Sequence, residues 1–169
     1  MNNKQHEILD AAFSLLSEEG DVASLNLRKI ARKAGCAHTN VYNYYPKLGS
    51  LKWAMLEKAL ERMEVRIFKS ENASIEEIIR SYIEFALEHP ELYKLIWTSD
   101  LPVEDAPRDL SFLTGIPRKL AEYMPAGPAD ILHSYVHGRL LSVIFNRSPF
   151  SDRNELIEEI IEGCSLILN

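Results

Sequence analysis

An all-α fold is what this 169-residue sequence predicts, and three observations predict it. Apolar residues recur at three- and four-residue spacing through almost every segment. No run alternates in the way a half-buried strand requires. Clusters of Pro and Gly punctuate the chain between the periodic segments. The expected architecture is an N-terminal three-helix unit over residues 1–48, containing a helix–turn–helix, followed by a helical bundle over residues 49–169.

Taken in order, Ile8, Leu9, Ala12, Phe13 and Leu16 make one face of a first helix, which Gly20 stops. Leu27, Ile30, Ala31 and Ala34 make a short second helix that Asn26 can cap and Gly35 can end. A third runs from about His38 to Tyr44, where Pro46 breaks the chain. A long helix from near Gly49 towards Phe68 carries Leu51, Met55, Leu56, Ala59, Leu60 and Met63, with no internal Pro or Gly, and reads as a stiff connector. Helices are expected near 74–88, 90–98, 108–123, 128–147 and 152–168, separated by Pro102 and Pro107, by Pro125, Gly127 and Pro128, and by Pro149.

Charge divides the chain. Residues 1–70 hold 11 Lys and Arg against 8 Asp and Glu, whereas residues 71–169 hold 8 against 17. From Val22 to Leu56 there is no acidic residue, while Arg28, Lys29, Arg32, Lys33, Lys47 and Lys52 all fall there. A protein of net charge −6 has no general reason to clear one stretch of carboxylates. A surface that lies against phosphate does, because each carboxylate would repel the polyanion. Only Cys36 and Cys164 are present, too few for a disulfide framework, and no apolar run approaches membrane-spanning length. A soluble, cytoplasmic protein is expected. There is no Gly-rich phosphate loop, no Gly-x-Ser-x-Gly and no metal-spaced acid cluster, which argues against an enzyme and against a cofactor.

A helix–turn–helix needs small residues where its helices cross, a tight turn, and an apolar residue just beyond. Ala31, Gly35 and Cys36 supply these in order. Cys36 reads as a small apolar residue rather than a redox sensor. Val41 then falls on the inner face, leaving His38, Thr39, Asn40, Tyr42 and Asn43 outward, able to reach bases or phosphates. Tyr45 is expected to be buried and Tyr42 to place its hydroxyl at a phosphate. Residues 5–53 resemble the N-terminal domain of the TetR family of transcriptional regulators. The resemblance is carried by Ile8-Leu9-Asp10-Ala11-Ala12, Leu27-Arg28-Lys29-Ile30-Ala31, Ala34-Gly35, Val41-Tyr42-Asn43-Tyr44-Tyr45 and Leu51.

The resemblance implies an all-helical homodimer that binds a double-stranded DNA operator. Arg28 would touch phosphate, and His38, Thr39, Asn40, Tyr42, Asn43 and Tyr44 would supply base and backbone contacts. Two positions depart from the family pattern. Ala37 stands where a capping Ser is usual, and Leu48 where a phosphate-binding Lys is usual, so Lys47 or Lys52 is the substitute. Glu88-His89-Pro90-Glu91-Leu92-Tyr93-Lys94-Leu95-Ile96 and Val136-His137-Gly138-Arg139-Leu140 resemble a His-Gly-containing C-terminal domain of such regulators, with Tyr135 near the position of a usual Trp.

Tyr82, Phe85, Tyr93, Trp97, Phe112 and Tyr123, with His133 and His137, form the pool from which an effector pocket is expected. The two histidines lie four apart on one helix face but lack a third ligand, so no metal is expected. The last helix carries a wide stripe of Leu156, Ile157, Ile160, Ile161, Cys164, Ile167 and Leu168. The helix before it is wrapped by Ile131, Leu132, Tyr135, Val136, Leu140, Val143 and Ile144. Such helices are deeply central or shared with a second subunit, and the sequence favours a two-fold interface built on Tyr135, Leu156, Ile160, Ile161, Cys164 and Ile167. The functional expectation is a dimeric repressor released from a palindromic operator by a small molecule, repression being a family expectation. The alternative is a DNA-binding regulator controlled by a protein partner, with no small-molecule pocket.

Overall fold

The computed structural model describes residues 3–70, 72–146 and 152–168. Among the described residues nine α-helices run in chain order: α1 (Asn3–Glu19), α2 (Leu27–Lys33), α3 (His38–Tyr44), α4 (Leu48–Ile67), α5 (Ile75–Glu88), α6 (Pro90–Thr98), α7 (Gly115–Leu120), α8 (Ala126–Ile144) and α9 (Arg153–Leu168). Short 3-10 turns stand at Val22–Ser24, Val103–Asp105 and Ser111–Thr114. No strand occurs among the described residues. The loop expected at Pro149 lies outside them.

These helices form two compact units interleaved along the chain, Met1–Glu61 with Glu91–Leu113 and Arg62–Pro90 with Thr114–Asn169. The sequence reading drew one cut between residues 48 and 49. Instead α4 passes from one unit into the other in mid-helix, because nothing between Gly49 and Ile67 interrupts it.

In the first unit α1 buries Ile8, Leu9, Ala12 and Leu16, and Gly20 closes it with an N–H donated to the Leu16 carbonyl at 2.8 Å. The side chain of Asn26 accepts from the Lys29 N–H at 3.0 Å and so caps α2. At the other end of α2 the backbone makes a Schellman turn. Cys36 N–H donates to the Ala31 carbonyl at 3.0 Å, and Gly35 N–H to the Arg32 carbonyl at 3.3 Å. Gly35 sits at φ +59°, where a side chain would be strained. That turn sets the direction in which α3 leaves.

Helix α3 has only seven residues, too few to persist alone. Its fully buried Val41, worth about 2 kcal/mol on burial, pins it against α2. Tyr45, 5% exposed, follows it into the core. Burial first, and then the nearby Glu57 charge, push the Tyr45 hydroxyl up to about 12.

In the second unit α5 starts with a capping box. The Ser74 hydroxyl accepts from the Glu77 N–H at 3.2 Å, while Glu77 accepts from the Ser74 N–H at 2.7 Å. Helix α5 packs on both α8 and α9, which pack on each other. The helix expected over 108–123 is instead a 3-10 turn followed by the six-residue α7. Pro117 explains this: it has no N–H to donate and is tolerated only in a first turn, where it stands as the third residue of α7.

Ala37 precedes α3 in extended geometry, φ −63° and ψ 141°, with no side-chain cap bond. Ala37→Ser should therefore gain a cap and stabilise the fold by about 1 kcal/mol. Equilibrium urea unfolding reads this as a raised midpoint at unchanged slope. An unchanged midpoint would mean that the N–H groups opening α3 are already satisfied.

Candidate nucleic-acid interface and apolar cleft

The outward face of α3 is as its period requires. With Val41 inside, Thr39, Asn40, Tyr42 and Asn43 are exposed, His38 and Tyr44 half-buried. The four exposed side chains are uncharged and bear hydrogen-bonding groups, suited to base edges and phosphate oxygens alike. Tyr42 is 44% exposed and meets the edge of the His38 ring at 4.8 Å, which limits where its hydroxyl can go.

The basic residues around this face divide into two sets. Lys29 pairs with Glu19 at 2.8 Å, and Lys33 with Glu18. Lys47 pairs with Asp105 at 2.6 Å. Among the described residues no ion pair engages Arg28, Arg32 or Lys52, and both arginines are exposed. The acid-free window is thus partly neutralised by carboxylates from outside it. Lys33 and Lys47 are exposed and Lys29 is half-buried, and ion pairs of exposed lysines are weak enough for phosphate to compete with them.

The Lys47 pair belongs to a larger contact that sequence reading missed. The Trp53 indole N–H donates to the Pro102 carbonyl at 2.9 Å, and the Val103–Asp105 turn lies across the first turn of α4. The approach is close because residue 49 is glycine: a Cβ there would run into Asp105 Oδ2 and Pro102. Asp105 hydrogen-bonding to Lys47 is the first cause raising the Lys47 pKa.

The second unit contains a separate feature, a narrow apolar cleft of about 40 Å³ that opens to solvent. Its walls are Ile67 and Phe68 at the end of α4, Ile78, Ile79 and Tyr82 of α5, Ile116 and Leu120 of α7, and Leu132, His133 and Val136 of α8. Tyr82 Oη and His133 Nε2 are 3.3 Å apart, a hydrogen bond inside this apolar wall. The His133 and His137 rings stack at 5.6 Å and 8°. Burial lowers the pKa of both, with Asp130 acting against the shift at His133 and the His133 charge adding to it at His137. Among the described residues no group of three His, Cys, Asp or Glu could hold a metal ion.

Of the pocket residues the sequence proposed, the cleft gathers Tyr82 and His133, with His137 stacked behind. Phe85 is buried beside His89 at 5.3 Å and faces elsewhere. Tyr123 stacks on Phe68 at 5.9 Å. Tyr93, Trp97 and Phe112 belong to the first unit, where Tyr93 and Trp97 lie 6.4 Å apart. The aliphatic wall was missed because isoleucines at helical spacing look the same whether they line a cleft or fill a core.

The interface residues also fall differently. Leu156, Ile160, Ile161 and Cys164 are buried within the protomer, since α9 contacts α5 and α8 at once. Burial pushes the Cys164 thiol up to about 11. Ile167 and Tyr135 are half-buried, while Ile131, Leu166 and Leu168 are exposed, at 59%, 83% and 39%.

No family model matches the chain. Several solved structures resemble it. A TetR-family transcriptional regulator from Streptomyces coelicolor superposes at TM-score 0.73 and 16% identity over 99% of this chain and 81% of that one. A TetR transcriptional regulator from Rhodococcus sp. RHA1 gives 0.64 and 20%, over 99% and 97%. The TetR-like regulator LfrR from Mycobacterium smegmatis, solved in complex with proflavine, gives 0.65 and 16%, over 97% and 96%. The chain has the fold of the TetR-type regulators. In that TetR fold, α2 and α3 form the helix–turn–helix and α5, α8 and α9 the core of the rear bundle. No helix among the described residues is long and apolar enough to cross a membrane.

His133 and His137 generate a pH dependence with a definite sign. Their folded pKa values lie below the ordinary 6.5, so the unfolded chain takes up protons first as pH falls. Their contribution to stability is whole above about pH 6.5 and is lost as pH drops through the lowered values. Thermal unfolding should show a falling Tm from pH 7.5 to 5.5, the fall being shallower in His133→Gln/His137→Gln. A variant with the same slope as wild type would exclude these two groups as its source.

Proposed function

We propose that this protein is a ligand-responsive transcriptional regulator of the TetR family, acting as a homodimer on a palindromic operator. The observation that carries the reading is the outward row Thr39, Asn40, Tyr42 and Asn43 on α3, fixed by buried Val41 within a stretch free of acidic residues. Helix α3 enters the major groove, Arg28 and Lys47 meet phosphate, and Tyr44 and His38 back the contact row. The His137-Gly138 pair is what supports reading the rear domain as the His-Gly type.

The second copy docks on the outer faces of α8 and α9. Ile131, Tyr135 and Gly138 share a face of α8, and Leu166 rises from α9 nearby in register with Glu159 and Gly163. The bare backbone at Gly138, where a Cβ would meet nothing in the protomer, suits close helix approach. Two heads related by this axis would read half-sites a helical turn or a small multiple apart.

The apolar cleft is the effector site, which favours a small molecule over a protein partner as the input. LfrR, which shares the fold, was solved with a planar aromatic compound. Ile67 and Phe68 close α4, so a ligand that parts the walls bears on the helix whose first turn follows α3. Such a ligand must prefer the conformation with weak operator affinity, and operator must weaken ligand binding by the same factor. Bound operator represses, and ligand relieves it.

Binding to the intergenic DNA upstream of the protein's own reading frame should be sequence-selective and fall with salt. Asn43→Ala should lose about ten-fold or more in affinity for that DNA with no change in salt slope. Equal binding to unrelated DNA by both forms would remove α3 from the recognition role. Separately, Asp105→Asn releases Lys47 for phosphate. It should tighten DNA binding a few-fold and steepen the log–log salt slope by about one. An unchanged slope would mean that Lys47 never reaches the backbone.

A further inference from the structure

We infer that the cleft of the second unit takes a flat, uncharged, largely apolar ligand carrying one hydrogen-bonding group, and that it rejects organic cations. This rests on the reading of the cleft as the effector site and deepens it by naming the ligand class.

Three features of the cleft select for that class. Its wall is mostly aliphatic, with Ile79, Ile116, Leu120, Leu132 and Val136 alongside Phe68, Tyr82 and His133. No Asp, Glu, Lys or Arg is among the described residues that line it. A cation entering would leave water with no carboxylate to meet it, an unfavourable transfer that an uncharged ring system escapes.

The second feature is the Phe68 ring, the one phenyl face in the wall and the natural seat for a cation. That seat is taken: Lys119 Nζ stands 5.6 Å from the ring centroid and is paired with Glu64 at 2.7 Å. A ligand cation would meet a like charge there, and the neighbouring carboxylate is already engaged. Phe68 also stacks on Tyr123 at 5.9 Å, which fixes the plane of the Phe68 ring at the cleft's edge.

The third is the single polar pair, Tyr82 Oη with His133 Nε2 at 3.3 Å. A hydroxyl has one donor and two acceptor sites, so Tyr82 Oη can hold the imidazole and still meet one oxygen or nitrogen of a ligand and orient it. A ligand with several polar groups would leave the rest unmatched against isoleucine and leucine.

The test uses the whole protein and three dyes of similar size but different charge: neutral N-phenylnaphthylamine, anionic anilinonaphthalene sulfonate and cationic proflavine. Fluorescence titration should show saturable binding of the neutral dye, with the other two weaker by about ten-fold or more and proflavine unable to displace it. His133→Glu places a carboxylate in the wall and should reverse the order, weakening the neutral dye and admitting proflavine. Proflavine or the sulfonate competing on equal terms with the neutral dye in wild type would overturn the assignment. So would the absence of saturable binding by the neutral dye.

A parallel titration of the upstream DNA at saturating neutral dye separates the two levels. Dye bound in the cleft with operator affinity unchanged would discard the effector reading and leave the ligand class standing. Release of operator by a proflavine molecule that competes for the cleft would do the reverse.

Discussion

A seven-residue helix cannot hold itself together in water, and the first unit of this protein is organised around that constraint. Because α3 must be fastened from one side, Val41 and Tyr45 are surrendered to the core. Thr39, Asn40, Tyr42 and Asn43 are thereby displayed on the other side, since successive residues of a helix cannot all point inward. The fastening works only if α3 leaves α2 at the right angle. Gly35 in its left-handed conformation and the paired bonds from Cys36 and Gly35 set that angle with backbone alone. The side chains around the turn are then available for the partner the surface is proposed to meet.

The same economy shapes the second unit, with a different result. Helix α9 lies against α5 and α8 together, so its wide stripe of Leu156, Ile157, Ile160, Ile161 and Cys164 is consumed within one protomer. What remains outward is a narrower face on α8 and α9, where a second copy is proposed to dock. Where α5, α7, α8 and the end of α4 fail to close on one another, the cleft remains. Its one polar pair, Tyr82 with His133, is tolerable in an apolar wall because each group satisfies the other.

Much of the fold was legible because it depends on neighbours in sequence. Gly20, Asn26 and Gly35 marked helix ends through backbone conformation and capping, effects that act within four residues. Val41 inward with Asn40 and Asn43 outward follows from helical period. Pro117 was the local signal overlooked: treating residues 108–123 as one helix ignored where a proline can stand. Lys47 shows the opposite case. The acid-free window was real, yet its positive charge is partly claimed by Asp105, 58 residues away, a pairing that no local pattern encodes.

By itself, then, the sequence determined the helices, their caps, the inward and outward faces of α3 and the TetR-type arrangement of the head, all consequences of short-range periodicity and backbone sterics. Tertiary structure alone decided which isoleucines wall a cleft and which fill a core. It placed Tyr82 opposite His133 and laid Pro102 and Asp105 on the first turn of α4. It also turned the α9 stripe towards the chain's own helices. Those outcomes depend on which faces meet across dozens of residues, and an apolar side chain carries no mark of which neighbour, or which empty space, it will face.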